Sequence, residues 1–341
     1  MFKIYNLGRL KGCLPLIYSR IYSKNQDNLS IYHFLNRLSN KDWIAKSTPL
    51  PKGFIMLLML FALASSQQLL AQTLPPGFSN TEVSGQWNEA VGLAFNKIGN
   101  QMFVWERTGR VFIVENNQRQ VLLDIRDEVA GYWDMGLLGF ALHPNFDTNG
   151  YFYLLYNVDR HHLLHHGSST YNPSTNEYYN ASIGRLTRYT ATKTSTGYTV
   201  NLASRKVLIG ATKTTGIPTT HISHGVGSLV FGTDGTLLVS TGDGAGANPD
   251  AIDTGSASET YYQQALNDGI IREQENVGAF RSQILESYNG KILRIDPETG
   301  NGIASNPFYE TTNPGSIRSK VWALGLRNPF RMSLKPNSGS F

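Results

Sequence analysis

One segment of the chain combines histidines, an aspartate and glycines at a spacing suited to proton transfer. It runs from His221 to Gly244 and has a Thr-Asp-Gly turn signal at Asp234, with His224 ten residues before the turn and Asp243 nine residues after it. Residues equidistant from the turn of an antiparallel hairpin lie opposite each other. The segment therefore predicts that His224 and Asp243 meet at the open end of a hairpin. A carboxylate beside an imidazole fixes its tautomer and strengthens it as a base.

Two other roles are open for this pair. A His–Asp hydrogen bond can simply join two strand ends, and the spacing alone does not distinguish that structural role from a catalytic one. His221 and His224 are also close enough to share a metal ion, although no cluster of carboxylates accompanies them in the sequence. Glycines on both sides of the pair leave room for a flat ligand to approach the backbone.

The elements that must position this pair are predicted to be short strands. Apolar runs alternate with Gly, Asn and Asp turn signals in four units that begin near Val91, Leu137, Ser228 and Val321. Each unit has an apolar strand, a turn, a β-rich strand and a further strand after a variable gap, which is typical of propeller blades. The pattern favours an all-β propeller, although a β-sandwich would produce similar local signals. We expect a propeller that is truncated after about four blades.

The N-terminal part of the chain differs from the rest in charge. Residues 1–52 contain nine basic and two acidic residues, whereas the whole chain has a formal net charge of +5, so the remainder is slightly acidic. This distribution does not favour a nucleic-acid groove. The single cysteine, Cys13, also lies in this part, so the remainder has neither disulfides nor thiolate chemistry.

An apolar run over residues 54–64 follows Lys46 and Lys52 and precedes small and polar residues. This arrangement is typical of a secretory signal, and the run is too short for a stable membrane span; a membrane anchor or a core helix is the alternative. We predict a leader over residues 1–71 and the N-terminal part of a propeller over residues 72–341. The protein is then expected to be exported, to the periplasm or outside the cell.

Five motifs in the chain resemble those of the soluble quinoprotein glucose/sorbosone dehydrogenase family. They are Glu106-Arg-Thr-Gly-Arg110, Gly136-Leu-Leu-Gly-Phe-Ala-Leu-His-Pro-Asn-Phe146, the segment His224–Gly244, Asn289-Gly-Lys-Ile-Leu-Arg-Ile-Asp296 and Gly325-Leu-Arg-Asn-Pro329. They occur in the order of the family over roughly residues 85–335. The resemblance implies a six-bladed β-propeller that uses pyrroloquinoline quinone (PQQ) and calcium. It also implies oxidation of an aldose-type sugar to a lactone, with electrons passed to an external acceptor.

The resemblance implies roles for individual residues at matching positions. His224 would be the base that takes the proton from the anomeric hydroxyl, and Asp243 would orient it. Arg327 and Asn328 would contact the cofactor, whose carboxylate and carbonyl oxygens suit a guanidinium fork. Asp134 stands near the cofactor where family members usually have a glutamine. No residue is assigned as a metal ligand.

Three further positions depart from the family pattern. Ser228 stands where an arginine is common, and Leu326 and Phe330 replace a histidine and a glutamine. These differences support an alternative function, a non-catalytic β-propeller that binds a glycan or a protein partner. A calcium-dependent lactonase on a similar propeller is a third hypothesis that fits the motifs less well.

Two other segments contain residues with possible functions. The run His161–His166 has transition-metal ligands, but its polar neighbours favour a solvated loop. The insert Ala245–Glu286 is interpreted as a lid over the site or as a partner-binding loop.

Overall fold

The computed structural model describes residues 3–5, 74–83, 85–195, 197–246 and 261–335. The chain divides into two compact units, one over residues 2–83 and one over residues 84–341. In the first unit, strand β1 (Lys3–Tyr5) pairs antiparallel with β2 (Asn80–Glu82). The apolar run 54–64 and most of the predicted leader lie outside the described residues, so the predicted signal stays a prediction.

The described residues of the second unit contain three antiparallel sheets, and in the first and third of them the strands that follow each other in sequence pair. The first sheet has the order β3 (Ala90–Phe95), β4 (Gln101–Glu106), β5 (Arg110–Glu115) and β6 (Gln118–Asp124). The second contains β7 (Leu137–Leu142), β8 (Tyr151–Asn157), β9 (Ser182–Thr194), β10 (Gly197–Val200), β11 (Lys206–Ile209) and β12 (Ile217–Thr219). The third has the order β13 (Val226–Phe231), β14 (Leu237–Thr241), β15 (Lys291–Ile295) and β16 (Val321–Ala323). These meanders are propeller blades, and the predicted all-β propeller is confirmed.

The fourth predicted unit differs from expectation. Val321–Ala323 forms β16, the outer strand of the third sheet, because Val321 pairs with Leu293 and Ala323 with Ile292 of β15. Residues 324–335 form no strand. The described residues of the second unit therefore contain three sheets, and the apolar run that we expected to open a fourth completes the third.

The helices of the described residues are short. They are α1 (Phe146–Asn149), α2 (Arg160–His165), α3 (Tyr262–Asn267) and α4 (Ile317–Lys320), with 3₁₀ turns at Leu202–Ser204, Glu273–Glu275 and Gly278–Gln283. The run His161–His166, expected as a solvated loop, mostly lies in α2, and His161 and His162 are buried. The loop prediction was wrong because Asp159 caps the helix, accepting a hydrogen bond from the backbone N–H of His161. In the part of the chain that the structure describes, no helix is long and apolar enough to cross a membrane.

The blades pack against each other through strands buried on both faces. In β8, Phe152 and Leu154 join the apolar cluster shared with the first sheet, whereas Tyr153 and Leu155 join the cluster shared with the third. A continuous apolar strand is expected where both faces of a sheet are covered. The inner strands also approach closely, since a Cβ on Gly139 of β7 would lie 3.2 Å from the Leu229 side chain of β13.

A buried ion network joins the β6–β7 connection to the second sheet. The Glu128 carboxylate accepts hydrogen bonds of 2.6 Å from Arg185, Arg205 and the Tyr156 hydroxyl. Burial opposes ionisation of Glu128, but the two guanidinium groups and the hydroxyl outweigh it and hold its pKa below the ordinary 4.5. Glu128 is therefore charged in the folded protein at neutral pH.

We expect Glu128→Gln to lower the free energy of unfolding by about 3 kcal/mol at pH 7, since the buried Arg185 and the half-buried Arg205 lose their counter-charge. Because the folded pKa is depressed, this stabilisation is fully present above the unfolded value and is lost as pH falls through the folded value. Urea denaturation should show the difference between the two proteins narrowing below about pH 4.5. A difference independent of pH would contradict this. Glu298→Gln, at an exposed ion pair with Arg188, serves as the control and should cost under about 1 kcal/mol.

Candidate functional site

The hairpin of β13 and β14 brings the predicted pair together. Phe231 pairs with Leu237 beside the turn and Val226 with Thr241 at the open end. His224 and Asp243 each lie two residues beyond this last pair, and His224 Nδ1 is 3.0 Å from Asp243 Oδ1. The predicted meeting of the two side chains is confirmed.

The backbone around His224 requires glycine on the facing strand. The N–H of Gly242 donates to the Gly225 carbonyl at 2.7 Å, and that of Gly244 donates to the His224 carbonyl at 2.9 Å. A Cβ on Gly242 would lie 2.3 Å from the His224 carbonyl oxygen, so no other residue fits there. His224 itself has φ of 57°, a left-handed conformation that costs a non-glycine residue roughly 1–2 kcal/mol. Such strain is concentrated at functional sites.

The Asp243 carboxylate is fully buried and engaged on both oxygens. Oδ1 accepts from His224 and from the N–H of Ala245 at 3.0 Å, while Oδ2 accepts from Arg327 Nη1. Arg327 Nη2 donates to the Gly246 carbonyl. Because Asp243 has only acceptor oxygens, His224 Nδ1 carries the hydrogen and Nε2 carries the lone pair. The arrangement thus leaves Nε2 available to take a proton.

Arg327 forms an ion pair with Asp243, 84 residues away in sequence. The expected contact of its guanidinium with a cofactor stays a prediction. The Arg327 side chain stays 36% exposed. No local spacing relates the two positions, so the sequence alone does not indicate this ion pair.

Two buried polar side chains hydrogen-bond to the backbone around the His224–Asp243 pair. Arg281 is fully buried and donates to Thr220 Oγ1 at 3.0 Å and to the Asp243 carbonyl at 3.3 Å. Asn289, also fully buried, donates to the Gly242 carbonyl at 3.1 Å. Neither residue is among the predicted site residues, although Asn289 lies in one of the quoted motifs. What distinguishes Arg281 is that its charge is buried, and burial can be recognised only from the fold.

Part of the insert Ala245–Glu286 packs into the core. Its described part, residues 245–246 and 261–286, contains α3 and the two later 3₁₀ turns, and Ala265, Ile270 and Ile271 join the core. These three residues are therefore part of the packed core. Residues 247–260 lie outside the described residues, so the lid or partner-binding role stays a prediction there.

The remaining predicted residues lie around this centre. His221 Nδ1 is 3.0 Å from Ser223 Oγ. Burial, then the charges of His224 and Arg327, lower the pKa of His221 below 6.5, and the charge of Asp134 opposes this. Asp134 is exposed in the β6–β7 connection. The structure thus joins His224, Asp243 and Arg327 directly and brings Asp134 within electrostatic range of His221.

The positions that depart from the family pattern have structural contacts of their own. Ser228 is buried, and its hydroxyl accepts a hydrogen bond from the N–H of Met332 at 3.2 Å. Leu326 donates its N–H to the Gly290 carbonyl at 3.1 Å, and Phe330 packs against the apolar cluster between the second and third sheets. The half-buried Asn328 has its carbonyl bonded to the N–H of Phe330 at 2.7 Å.

A metal site at His221 and His224 has no support among the residues described. Among the residues that the structure describes, the one group of side chains compatible with a metal ion consists of His161, His165 and Glu177. Both ring nitrogens of His161 are engaged, Nδ1 with Glu177 Oε1 at 3.3 Å and Nε2 as acceptor from the Asn172 N–H at 3.0 Å. That group therefore lacks a free imidazole lone pair at His161.

The residues beside the His224–Asp243 pair fit a flat, anionic cofactor next to Arg327. The exposed part of Arg327, with Asn328 and His221 nearby in sequence or space, offers donors suited to the oxygens of PQQ. Asp134 adds a negative charge that does not favour a tricarboxylate. Calcium needs six or more oxygen ligands, but both oxygens of Asp243 are already engaged. These residues therefore do not fit a calcium site.

Comparison with known proteins agrees with this geometry. The chain is 27% identical over 247 residues to HIPL1 protein of Arabidopsis thaliana (64% of this chain, 31% of that protein). It is 27% identical over 310 residues to quinoprotein glucose dehydrogenase B of Acinetobacter calcoaceticus (87% and 55%). It is 25% identical over 273 residues to human Hedgehog-interacting protein (75% and 32%). The chain thus spans about a third to just over half of the length of these relatives.

A solved structure and a family model point the same way. A crystal structure described as an oxidoreductase (glucose dehydrogenase) from Thermus thermophilus superposes with a TM-score of 0.50 at 26% identity, covering 76% of this chain and 58% of that chain. The model of the family described as Glucose / Sorbosone dehydrogenase matches residues 87–341. Since this match includes all three blades and the His224–Asp243 pair, the chain belongs to the glucose/sorbosone dehydrogenase family.

Proposed function

We propose that this protein is a quinoprotein that oxidises the anomeric carbon of an aldose-type sugar to a lactone. Family membership supports an oxidoreductase acting on sugars. The observation that supports the specific reaction is the 3.0 Å contact between His224 Nδ1 and Asp243 Oδ1, which leaves Nε2 as a base. A base of this kind is what removal of a hydroxyl proton requires.

The proposed proton path involves three side chains. His224 Nε2 accepts the proton of the anomeric hydroxyl, and the imidazole becomes positively charged. Asp243 stabilises that charge through Nδ1–H, and Arg327 holds the Asp243 carboxylate in place. Bound PQQ would supply the two-electron acceptor for the hydrogen on the anomeric carbon, before an external acceptor is reduced. Arg327 and Asn328 would hold it, and Asp134 would lie beside it.

The direct test adds PQQ and calcium to the purified protein and measures aldose-dependent dye reduction. We expect turnover that requires the quinone, because no side chain at the site can accept a hydride. Calcium is included because the resemblance implies it, and the dependence on each component is measured by omission. Absence of quinone binding at micromolar concentration, together with no turnover for a panel of aldoses, would contradict the proposal.

A second candidate is a non-catalytic propeller that binds a glycan or a protein. The similarity to Hedgehog-interacting protein and the structural contacts of Ser228, Leu326 and Phe330 support it. The same assay separates the two, since a binding module shows no quinone-dependent turnover.

We also propose export to the periplasm or the extracellular space. The apolar run 54–64 after Lys46 and Lys52 supports it. N-terminal sequencing of protein recovered outside the cytoplasm should give a mature end close to residue 72, and an end before Lys52 would contradict the predicted cleavage.

A further inference from the structure

A group of aromatic rings lies on the β6–β7 connection and the loop before β9. Tyr132 stacks on Tyr178 with ring centroids 4.8 Å apart and 20° between the planes. Tyr132 also contacts Tyr179, at 4.8 Å between centroids. Together with Trp133, these residues form what we call the aromatic surface.

The aromatic surface adjoins the turn that holds His224. Ile222 packs on the cluster that contains Tyr132 and Met135. A Cβ on Gly225 would lie 3.0 Å from Met135 Sδ. Ile222 and Gly225 lie on either side of His224 in sequence, so the cluster packs against residues that neighbour the proposed base.

Two of these rings are exposed on strained backbone. Trp133 is 65% exposed with φ of 47°, and Tyr179 is 55% exposed with φ of 62°. A left-handed conformation is strained for a non-glycine residue, and an exposed ring offsets little of that strain by burial. The Trp133 carbonyl is further held by Arg107 Nη1 at 2.8 Å. Large rings presented to solvent at such positions indicate a binding role.

A polar cleft continues from the aromatic surface. Its volume is about 570 Å³, within the range of small-molecule sites, and its lining consists of Thr108, Asp124, Arg126, Asp127, Pro173, Ser174, Asn176 and Tyr178. Tyr178 belongs to both the cleft and the aromatic surface. In the cleft Arg126 donates to both oxygens of Asp124 at 2.8–3.1 Å, which presents a fixed set of planar polar groups.

The chemistry of the two surfaces specifies the ligand. The polar cleft presents carboxylates, an amide, hydroxyls and a guanidinium, which can hydrogen-bond to a ligand rich in hydroxyl groups. The aromatic surface presents ring faces, which can pack on the apolar C–H faces of a sugar ring. Two carboxylates against one guanidinium do not suit a phosphate or a nucleic acid. A chain of sugar units satisfies both surfaces.

We propose that the aromatic surface and the polar cleft form a subsite for an oligosaccharide. The terminal sugar lies at His224, and the following units lie over Trp133 and Tyr179 and in the cleft. The role of the terminal sugar as substrate rests on the proposed function, whereas binding of the remaining units does not depend on the cofactor. The substrate class is then an oligosaccharide and not a free monosaccharide.

Binding is tested by calorimetry on the cofactor-free chain with cellotetraose, maltotetraose, xylotetraose and chitotetraose, each compared with glucose. At least one tetrasaccharide should bind at least tenfold more tightly than glucose. Trp133→Gly and Tyr179→Gly should weaken that binding at least fivefold. Because glycine accepts positive φ without strain, both variants should keep the Tm of the parent within a few degrees. Trp322→Ala, at a half-exposed indole on β16, is the control and should bind as the parent does.

The subsite is refuted if no tetrasaccharide binds more tightly than glucose, or if both glycine variants bind as the parent does. Failure of the proposed reaction gives a different result, since tetrasaccharide binding would persist while quinone-dependent turnover is absent. Turnover of glucose without any preference for tetrasaccharides would retain the reaction and overturn the subsite.

Discussion

Replacement of His224 by alanine is expected to reduce quinone-dependent aldose oxidation at least about a hundredfold, the usual scale for loss of a general base. His224 is the residue whose Nε2 carries a free lone pair, because Asp243 engages Nδ1. Alanine removes that base and leaves the Asp243 carboxylate bound to Arg327. The substitution also retains a non-glycine residue at φ of 57°, so the backbone strain is unchanged.

The measurement is kcat for dye reduction with PQQ present, together with quinone binding by the same protein. His143→Ala is the matched control. His143 follows β7 at the opposite end of the blades, and its ring lies 5.4 Å from that of Phe231 beside the hairpin turn. The control should keep activity within about threefold. A His224→Ala protein that keeps more than a tenth of the parent kcat would assign the base to another residue and make the pair structural.

Asp243→Asn is expected to lower kcat about a hundredfold or more and to destabilise the fold by about 2 kcal/mol. One amide oxygen can still accept from His224, but the NH₂ group then faces the donors of Arg327. The guanidinium loses its counter-charge, and the protonated imidazole loses the negative charge that stabilises it. The stability loss is set below that of a fully buried pair because the Arg327 side chain is 36% exposed and can be hydrated.

Steady-state kinetics and urea denaturation of the same samples separate positioning from stability. A positioning role predicts a fall in kcat with a changed pH profile, whereas a purely structural role changes only the free energy of unfolding. Asp234→Asn is the control, since Asp234 lies in the turn at the other end of the same hairpin in an exposed ion pair with Arg294. Asp243→Asn activity within threefold of the parent, beside an inactive His224→Ala, would refute the positioning role.

The local elements of this protein followed from the sequence alone. Apolar runs and turn signals located the first strands of the three sheets, β3, β7 and β13, because strand and turn preferences depend on neighbouring residues. The meeting of His224 with Asp243 also followed, since pairing across a hairpin depends only on the distance of each residue from the turn. The five motifs identified the family before any tertiary contact was considered.

Other features were decided by the tertiary structure. The ion pair of Arg327 with Asp243, the support by Arg281 and the assignment of Val321–Ala323 to the third sheet all join residues far apart in sequence. The burial of His161 and the proximity of the aromatic surface to His224 are of the same kind. The physical reason is that these contacts depend on how separate blades and their connections pack, which no local periodicity or spacing encodes.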